Sequence, residues 1–277
     1  MPLKIRIYWD DTVALEGIFS GLQRSFPGSD IAIVRARDIG SDFRFDLFCL
    51  PGIRGERCTY PRDITPDKLN IIHQQIRQGA CSLFICAGSQ VMSERYYYQS
   101  CGTAGSLSGS NPQAMFRAVS YAPLRNYGRP ADPLHSHADT VAVPVRYKTI
   151  GGSWVSLKVA YGNGGYWRYS DLSDEMEAIA LYNAGDGDLV AAAAAPHGNG
   201  LALGMGILPY LGPIPVTEKG DPRIYRLSEE LKPFEQLRHN FWENTLMHRI
   251  KTHLHCRGRY VAFGHSLFMG RNFHDTP

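Results

Sequence analysis

Hydrophobic residues in the first third of the chain form short continuous runs that alternate with helical spacings. Four apolar runs, each ended by polar residues, proline or glycine, are typical of buried strands: 4–8, 31–36, 45–50 and 80–86. Apolar residues at helical spacing predict two amphipathic helices between them: 15–26 and 66–79. This alternation predicts βαβ units, with a parallel sheet covered on both faces and a ligand crevice at the carboxyl ends of its strands.

The second half of the chain has a more β-like pattern. Two alternating stretches around Gly151-Gly152 predict an antiparallel hairpin, and three further runs continue the strands: 140–147 and 154–161, then 177–182, 189–195 and 201–208. The alanine-rich run at 190–195 is interpreted as a strand rather than a helix because turns lie close on each side. Apolar residues recurring over 231–250 predict a long helix that covers the sheet.

The predicted fold class is an α/β three-layer sandwich with a mostly parallel central sheet and an additional β-hairpin region. We expect one domain over residues 1–253 and a C-terminal tail of unknown structure over 254–277. Glycine, serine and proline enrichment at 100–112 and a polar loop at 125–137 predict a surface excursion over about 100–137.

Charge and composition narrow the classes of function. The 29 basic and 26 acidic residues are mixed along the chain, and no basic cluster is interleaved with aromatics, which argues against nucleic-acid binding. No apolar run reaches the length of about 18 residues that spans a membrane, and the N-terminus has no signal-peptide pattern. The six cysteines lack regular spacing, so we expect a cytoplasmic, reducing environment.

Metal and cofactor sites are not expected. Histidines and a cysteine near the C-terminus, 248–265, fit no common zinc spacing. Glycines at 162, 164 and 165 are interpreted as a turn that requires positive φ rather than a phosphate cradle, because no helix start follows them. The three tyrosines at 96–98 could form a ligand-stacking wall, but adjacent positions favour partly buried packing.

Cys86 is the main chemical candidate. It ends a buried run and is followed at once by small and polar residues, a pattern that places it in a sharp turn between a strand and a helix. A nucleophile in such a turn projects beyond the sheet, and the following helix directs backbone N–H groups toward it, so we expect a lowered thiol pKa. The alternative is an inert buried cysteine.

Four short segments follow one another in this chain order: Leu50-Pro51-Gly52, Cys86-Ala87-Gly88, Tyr161-Gly162-Asn163-Gly164-Gly165, and the run 179–182 leading to 198–204. Together they resemble the N-terminal domain of eukaryotic-type biotin-protein ligase, which belongs to the class I glutamine amidotransferase-like superfamily. The resemblance covers about residues 3–250 and implies the flavodoxin-like sandwich of that superfamily. Active members have a catalytic triad of an elbow cysteine with a histidine and a glutamate that follow the last core strand.

The resemblance implies Cys86 as nucleophile, with oxyanion donors at Ala87 and at the Gly52-Ile53 turn. The expected His-Pro-Glu is absent, because Leu208-Pro209-Tyr210 stands in its place. Without a base, the sulfur loses an acid/base contribution of typically 10²–10⁴-fold. Phe84 also replaces the glycine expected two residues before the cysteine.

Histidines elsewhere in the chain are the alternatives for the missing base. His197 precedes the last strand, so a strand length of roughly 20 Å separates it from the site. His135 and His137 lie in a polar loop and offer a relocated base or a solvated pair. Asp10 and Asp11 end the first strand at the same rim, where a carboxylate would keep the thiol protonated or cap a helix.

The predicted pocket is bounded by Asp10, Gly52, Ile53, Cys86, Ala87 and Asn163. Our leading hypothesis is a degenerate amidotransferase-like protein without glutaminase activity that acts as a binding or regulatory module for an unidentified small molecule or protein. The alternative is a thiol-dependent amidase or hydrolase that uses Cys86 with a relocated base.

Overall fold

The computed structural model describes residues 2–10, 15, 17–53, 58–101, 106–130, 139–183, 188–211 and 221–258. These residues form one sheet with the following strands: β1 Lys4–Tyr8, β2 Asp30–Val34, β3 Leu47–Leu50, β4 Cys81–Ile85, β5 Ser93–Gln99, β6 Ser106–Ser110, β7 Phe116–Ala122, β8 Val141–Lys148, β9 Trp154–Tyr161, β10 Tyr166–Arg168, β11 Glu177–Tyr182, β12 Leu189–His197 and β13 Gly200–Met205. The α-helices are α1 Ile18–Ser25, α2 Tyr60–Asp63, α3 Pro66–Arg77, α4 Ala87–Val91, α5 Pro222–Leu231, α6 Glu235–Phe241 and α7 His248–Cys256.

Five adjacent strands, β2-β1-β3-β4-β13, are all parallel and form the predicted parallel core. All five residues of β4 are buried, as expected for a strand covered on both faces. The strands that follow β13 in the sheet pair mainly antiparallel, starting with the β12–β13 hairpin.

Two hydrophobic layers cover the parallel core, one on each face. Alternate residues of β3 divide between them: Leu47 and Cys49 face α1 and the C-terminal helices, whereas Phe48 and Leu50 face α3. Burying one such side chain contributes about 1.5–3 kcal/mol. The chain therefore forms the helix–sheet–helix sandwich that its sequence predicts, and the fold-class prediction is confirmed.

The β-rich second half also agrees with its sequence pattern. Strands β8 and β9 form the predicted hairpin in continuous antiparallel register, and the alanine-rich run lies within strand β12. In the Gly/Ser-rich stretch expected to be an excursion, residues 106–110 are largely exposed, and they pair with β5 as an edge strand of the sheet. The excursion thus contributes strands to the sheet rather than forming only loops.

The C-terminal helical segment is longer than expected, from Pro222 to Cys256, and its hydrogen bonding changes at Trp242–Met247, which is a π-helical turn. Trp242, the first residue of this turn, is buried, and its ring lies against Gly21 of α1. Among the described residues, every helix is too short or too polar to span a lipid bilayer.

Candidate functional site

Cys86 occupies the sharp turn predicted between β4 and α4. Its φ of 52° and ψ of −115° fall outside the common regions for a residue with a side chain, a conformation that costs about 1–3 kcal/mol. Its N–H donates to the Met205 carbonyl at 2.7 Å, and its own carbonyl accepts from Ser89 N–H at 3.0 Å, which starts α4. The surrounding backbone therefore fixes Cys86 at the carboxyl end of the parallel sheet.

Gly88 allows the helix to begin so close to the sheet. A Cβ on this residue would lie 2.2 Å from the Leu50 carbonyl oxygen, which no side chain tolerates. The Cys86-Ala87-Gly88 segment is thus explained by close backbone approach at the strand-to-helix turn.

The thiol of Cys86 is buried and neutral. Its Sγ donates a hydrogen bond to the Gly162 carbonyl oxygen at 3.5 Å. Burial raises the pKa of Cys86 to about 12; the Ala87 N–H opposes the shift, and the charges of Asp139 and Cys58 add to it. The sequence-based expectation of a lowered pKa was wrong, because α4 has only five residues and desolvation outweighs the N–H groups at its start.

A narrow cavity of about 40 Å³ opens beside the sulfur. Its lining residues come from the turn, from the edge strands and from the 162–163 segment: Ile53, Cys58, Cys86, Ala87, Gln90, Val91, Tyr96, Tyr98, Leu107, Gly162 and Asn163. Four of the six residues predicted to bound the pocket are therefore together here. Gly52 lies against the cysteine, since a Cβ built on it would be 3.1 Å from Cys86 Cβ.

Asp10 does not contact Cys86 among the contacts that the structure describes. Its carboxylate accepts a hydrogen bond from Thr59 Oγ1 at 2.6 Å, and its charge acts on the pKa of Tyr8, Tyr60 and Cys58. Asp139 is instead the carboxylate whose charge raises the pKa of Cys86. Asp11 lies outside the described residues. The expected effect of a nearby acid on the thiol is thus present, but it comes from the segment before β8.

The positions that would carry a base contain core side chains. Leu208 donates its backbone N–H to the Ala160 carbonyl at 2.9 Å and packs beside the α5 cluster. Tyr210 is buried, and its ring meets that of Trp242 edge-on with centroids 5.5 Å apart. Burial raises the pKa of Tyr210 far above its usual range, so it carries no proton-accepting charge at neutral pH.

No histidine lines the Cys86 cavity within the described ranges. His197 ends β12 beside the amino end of β4, because Gly200 is its partner and Leu201 pairs with Cys81. This agrees with the prediction that His197 lies at the opposite end of the sheet. The polar-loop histidines, His135 and His137, lie outside the described residues. The described part of the chain also brings together no metal-binding group of three or more His, Cys, Asp or Glu.

The 162–165 turn differs from its sequence-based interpretation. The positive φ belongs to Asn163, at 56°, and not to the glycines. Asn163 Nδ2 donates to the Arg129 carbonyl at 2.6 Å, and Arg129 N–H donates to Asn163 Oδ1 at 2.8 Å, so its amide fastens a neighbouring loop. Gly164 is needed for close approach, because its Cβ would lie 1.8 Å from the Gly206 carbonyl oxygen.

Tyr96 and Tyr98 are the main cavity residues that the predicted pocket did not include; both are at least partly buried, as the favoured interpretation of the three tyrosines expects. They lie on strand β5, where alternate side chains share a face, and both line the cavity, whereas Tyr97 is exposed and stacks on Tyr121. A strand assignment for 93–99 would have grouped them. The Ser93–Gln99 sequence is polar at most positions, and it forms a strand through pairing with β6 and β7.

Comparison with known proteins locates the fold but no family. Neither a protein-family model nor a curated protein sequence matches the chain. Among solved structures, a glutamine amidotransferase from Thermotoga maritima is 13% identical and superposes with a TM-score of 0.55, covering 91% of this chain and 99% of that one. A glutamine amidotransferase from Methylobacillus flagellatus is 11% identical, with a TM-score of 0.56 and coverage of 96% and 98%. The chain thus has the α/β fold seen in glutamine amidotransferases.

Proposed function

We propose that this protein is a glutamine amidotransferase-like protein of the biotin-protein ligase N-terminal type that lacks glutaminase activity and acts as a binding or regulatory module. The fold similarity supports the amidotransferase-like part of this proposal. The finer assignment depends on three segments that follow one another along the chain: Leu50-Pro51-Gly52, Cys86-Ala87-Gly88 and 161–165. Residues of all three lie together, because Gly52 lies against Cys86 and the Cys86 thiol donates to the Gly162 carbonyl.

One observation supports the loss of activity: among the residues that the structure describes, the buried Cys86 thiol donates to the Gly162 carbonyl and has no base as its partner. A glutaminase sulfur must lose its proton to attack the amide, and the leaving ammonia must gain one. Leu208 and Tyr210 can do neither, because one is aliphatic and the other is packed on Trp242. A thiol with a pKa of about 12 is almost fully protonated at pH 7.

The cavity beside Cys86 is the proposed binding surface. Its lining is mainly apolar and aromatic, and its volume of about 40 Å³ suits a small group or one side chain rather than a whole metabolite. We therefore infer that a ligand or protein partner inserts an apolar group between Tyr96, Tyr98 and Ile53. The six cysteines are all free thiols, which supports a reducing, cytoplasmic environment. We assign residues 1–253 to a single domain.

The competing function is a thiol-dependent amidase that uses Cys86 with a relocated base. It is favoured by the strained φ of 52° at Cys86 and by the Ala87 N–H directed at the sulfur, both of which suit an attacking nucleophile. These features serve either function, since they follow from the turn itself.

Ammonia release from glutamine and from short-chain amides distinguishes the two functions. The wild-type protein and the Cys86→Ser variant are compared at equal concentration, with the exposed Cys256→Ser variant as a matched thiol control. The proposal predicts no release above the Cys86→Ser background. Turnover that persists in Cys256→Ser and disappears in Cys86→Ser would establish the amidase instead.

A further inference from the structure

A second cleft lies at the opposite end of the sheet from Cys86. Its volume is about 860 Å³, enough for a small molecule, and its walls are mainly polar. It is bordered by α3, by the start of β7 and by the turn between β12 and β13. The Cys86 cavity is at the carboxyl end of β4, whereas this turn pairs with its amino end, so the two sites are separate.

The cleft has a rigid floor. The β12–β13 turn packs on the last turn of α3: Asn199 N–H donates to the Arg77 carbonyl at 2.9 Å. Gly198 has a φ of +60°, and a Cβ on it would lie 3.0 Å from Arg77 Cα, so only glycine allows this contact without strain. The positions of Arg77 and His197 relative to each other are therefore fixed by backbone.

Two histidine rings form the centre of the cleft wall. His73 Nδ1 lies 3.0 Å from His197 Nε2, and Arg77 Nε donates to the same His197 nitrogen at 3.3 Å. Because a guanidinium can only donate, His197 Nε2 is an acceptor, and His73 Nδ1 carries the proton that it shares.

The charge near this pair is positive. Arg77 and Arg117 both act to lower the pKa of His197, after burial, which has the largest effect, and no carboxylate contributes. Neither arginine forms an ion pair with a carboxylate anywhere in the described part of the chain. Glu94 and Glu175 line the same cleft and, like Arg77 and Arg117, are exposed, but neither forms an ion pair with either arginine in the described part of the chain. Among the described residues, two guanidinium groups without a carboxylate partner thus line a cleft next to two neutral imidazoles.

We propose that this cleft binds a small molecule through an oxyanion group, a carboxylate or a phosphate, which is held by Arg77, Arg117 and His197. Guanidinium groups bind planar oxyanions through paired, charge-assisted hydrogen bonds. The site is independent of Cys86, and a Cys86→Ser variant retains it.

Titration of the full-length protein with inorganic phosphate and, separately, with glutarate tests the proposal. Ionic strength is kept constant with sodium chloride, and the His197 imidazole signals are followed by NMR. We expect a saturable shift with at least one of the two anions. Saturation by phosphate alone identifies a phosphate group as the ligand chemistry, and saturation by glutarate alone identifies a carboxylate.

Arginine variants separate a site from general charge attraction. Arg117→Gln removes a cleft arginine, and Arg95→Gln removes an exposed arginine of the neighbouring strand β5 that does not line the cleft. We expect Arg117→Gln to weaken binding by about 10-fold or more, the loss of a charge-assisted bond, and Arg95→Gln to leave it unchanged. A response that never saturates with either anion, or an equal loss in both variants, would overturn the proposal.

Discussion

Tyr210 packs edge-on against Trp242, with 5.5 Å between ring centroids, just beyond the last parallel strand of the core. In the superfamily that the sequence resembles, this stretch carries catalytic side chains that point toward the cysteine. Here the ring anchors the C-terminal helical segment to the sheet. The position at which the resemblance would place a catalytic side chain is therefore part of the hydrophobic core.

This packing predicts a large loss of stability in Tyr210→Ala. Removing a buried aromatic ring leaves a cavity beside Trp242 and typically costs about 3–5 kcal/mol of unfolding free energy. Tyr225, which is 67% exposed on α5, provides the matched control, and Tyr225→Ala should change stability by less than about 0.5 kcal/mol. Urea denaturation measures both. Equal, small effects would show that Tyr210 is not a core residue.

Gly52→Ala should crowd the sulfur of Cys86. The new Cβ would lie 3.1 Å from Cys86 Cβ and 3.6 Å from Sγ, so either the turn or the cysteine must shift. We expect a destabilisation of about 1–3 kcal/mol, as for an overpacked core, and slower alkylation of Cys86. Gly40→Ala is the control, because its Cβ meets nothing within 4 Å. If the two variants behave alike, Gly52 and Cys86 are not in contact.

Gly164→Ala should reduce the unfolding free energy more than Gly52→Ala does. Its Cβ would overlap the Gly206 carbonyl oxygen at 1.8 Å, and both partners are backbone, which cannot rotate away. We expect the variant to unfold or to lose more than about 3 kcal/mol, at the upper end of single-substitution effects. Gly151→Ala, whose Cβ would be 3.8 Å from Thr149 Oγ1, should be tolerated. A stable Gly164→Ala protein would contradict the close backbone contact.

The sequence patterns predicted much of the fold because burial controls it directly. A continuous apolar run such as 80–86 buries all of its side chains only in a sheet that is covered on both faces. The hairpin around Gly151 follows from the alternation of apolar and polar residues on each side of it. The strand-to-helix turn at Cys86 also follows from the local pattern, because small and polar residues end the apolar run there. These features depend on neighbours in the chain.

The site was harder to predict because it depends on contacts between distant segments. Asp139, in the segment before β8, raises the pKa of Cys86 through its charge. Tyr96 lines the cavity because its strand, β5, pairs with β7. The pKa of Cys86 depends on how deeply it is buried, which no local pattern states. Gly164 is required by Gly206, a residue 42 positions away in the sequence.

His73 gives the protein a defined sensitivity to acid. Burial, with the charges of His197 and Arg77, lowers the pKa of His73 to about 4 from 6.5. In the folded state the ring stays neutral, whereas the unfolded chain takes up a proton below about pH 6.5, so the unfolding free energy falls between pH 6.5 and pH 4. Below both pKa values the contribution is constant.

His73→Gln should remove this one-proton contribution. Urea denaturation of both proteins over about pH 7 to pH 4 measures the slope of unfolding free energy against pH, and the variant should have the shallower slope. His239→Gln, at an exposed position of α6, is the control for replacing a histidine by glutamine. Identical slopes for wild type and His73→Gln would mean that His73 is protonated in the folded protein.

The rate of Cys86 alkylation as a function of pH tests the central claim most directly. Iodoacetamide reacts with the thiolate, and peptide mass spectrometry follows Cys86 separately from the exposed Cys256 in the same sample, which serves as the internal standard. The account predicts that Cys86 reacts far more slowly than Cys256 at neutral pH, with a rate that still rises above pH 9 toward the pKa of about 12. Fast alkylation of Cys86 that is already complete at about pH 6 would contradict it, because such a sulfur has a base beside it.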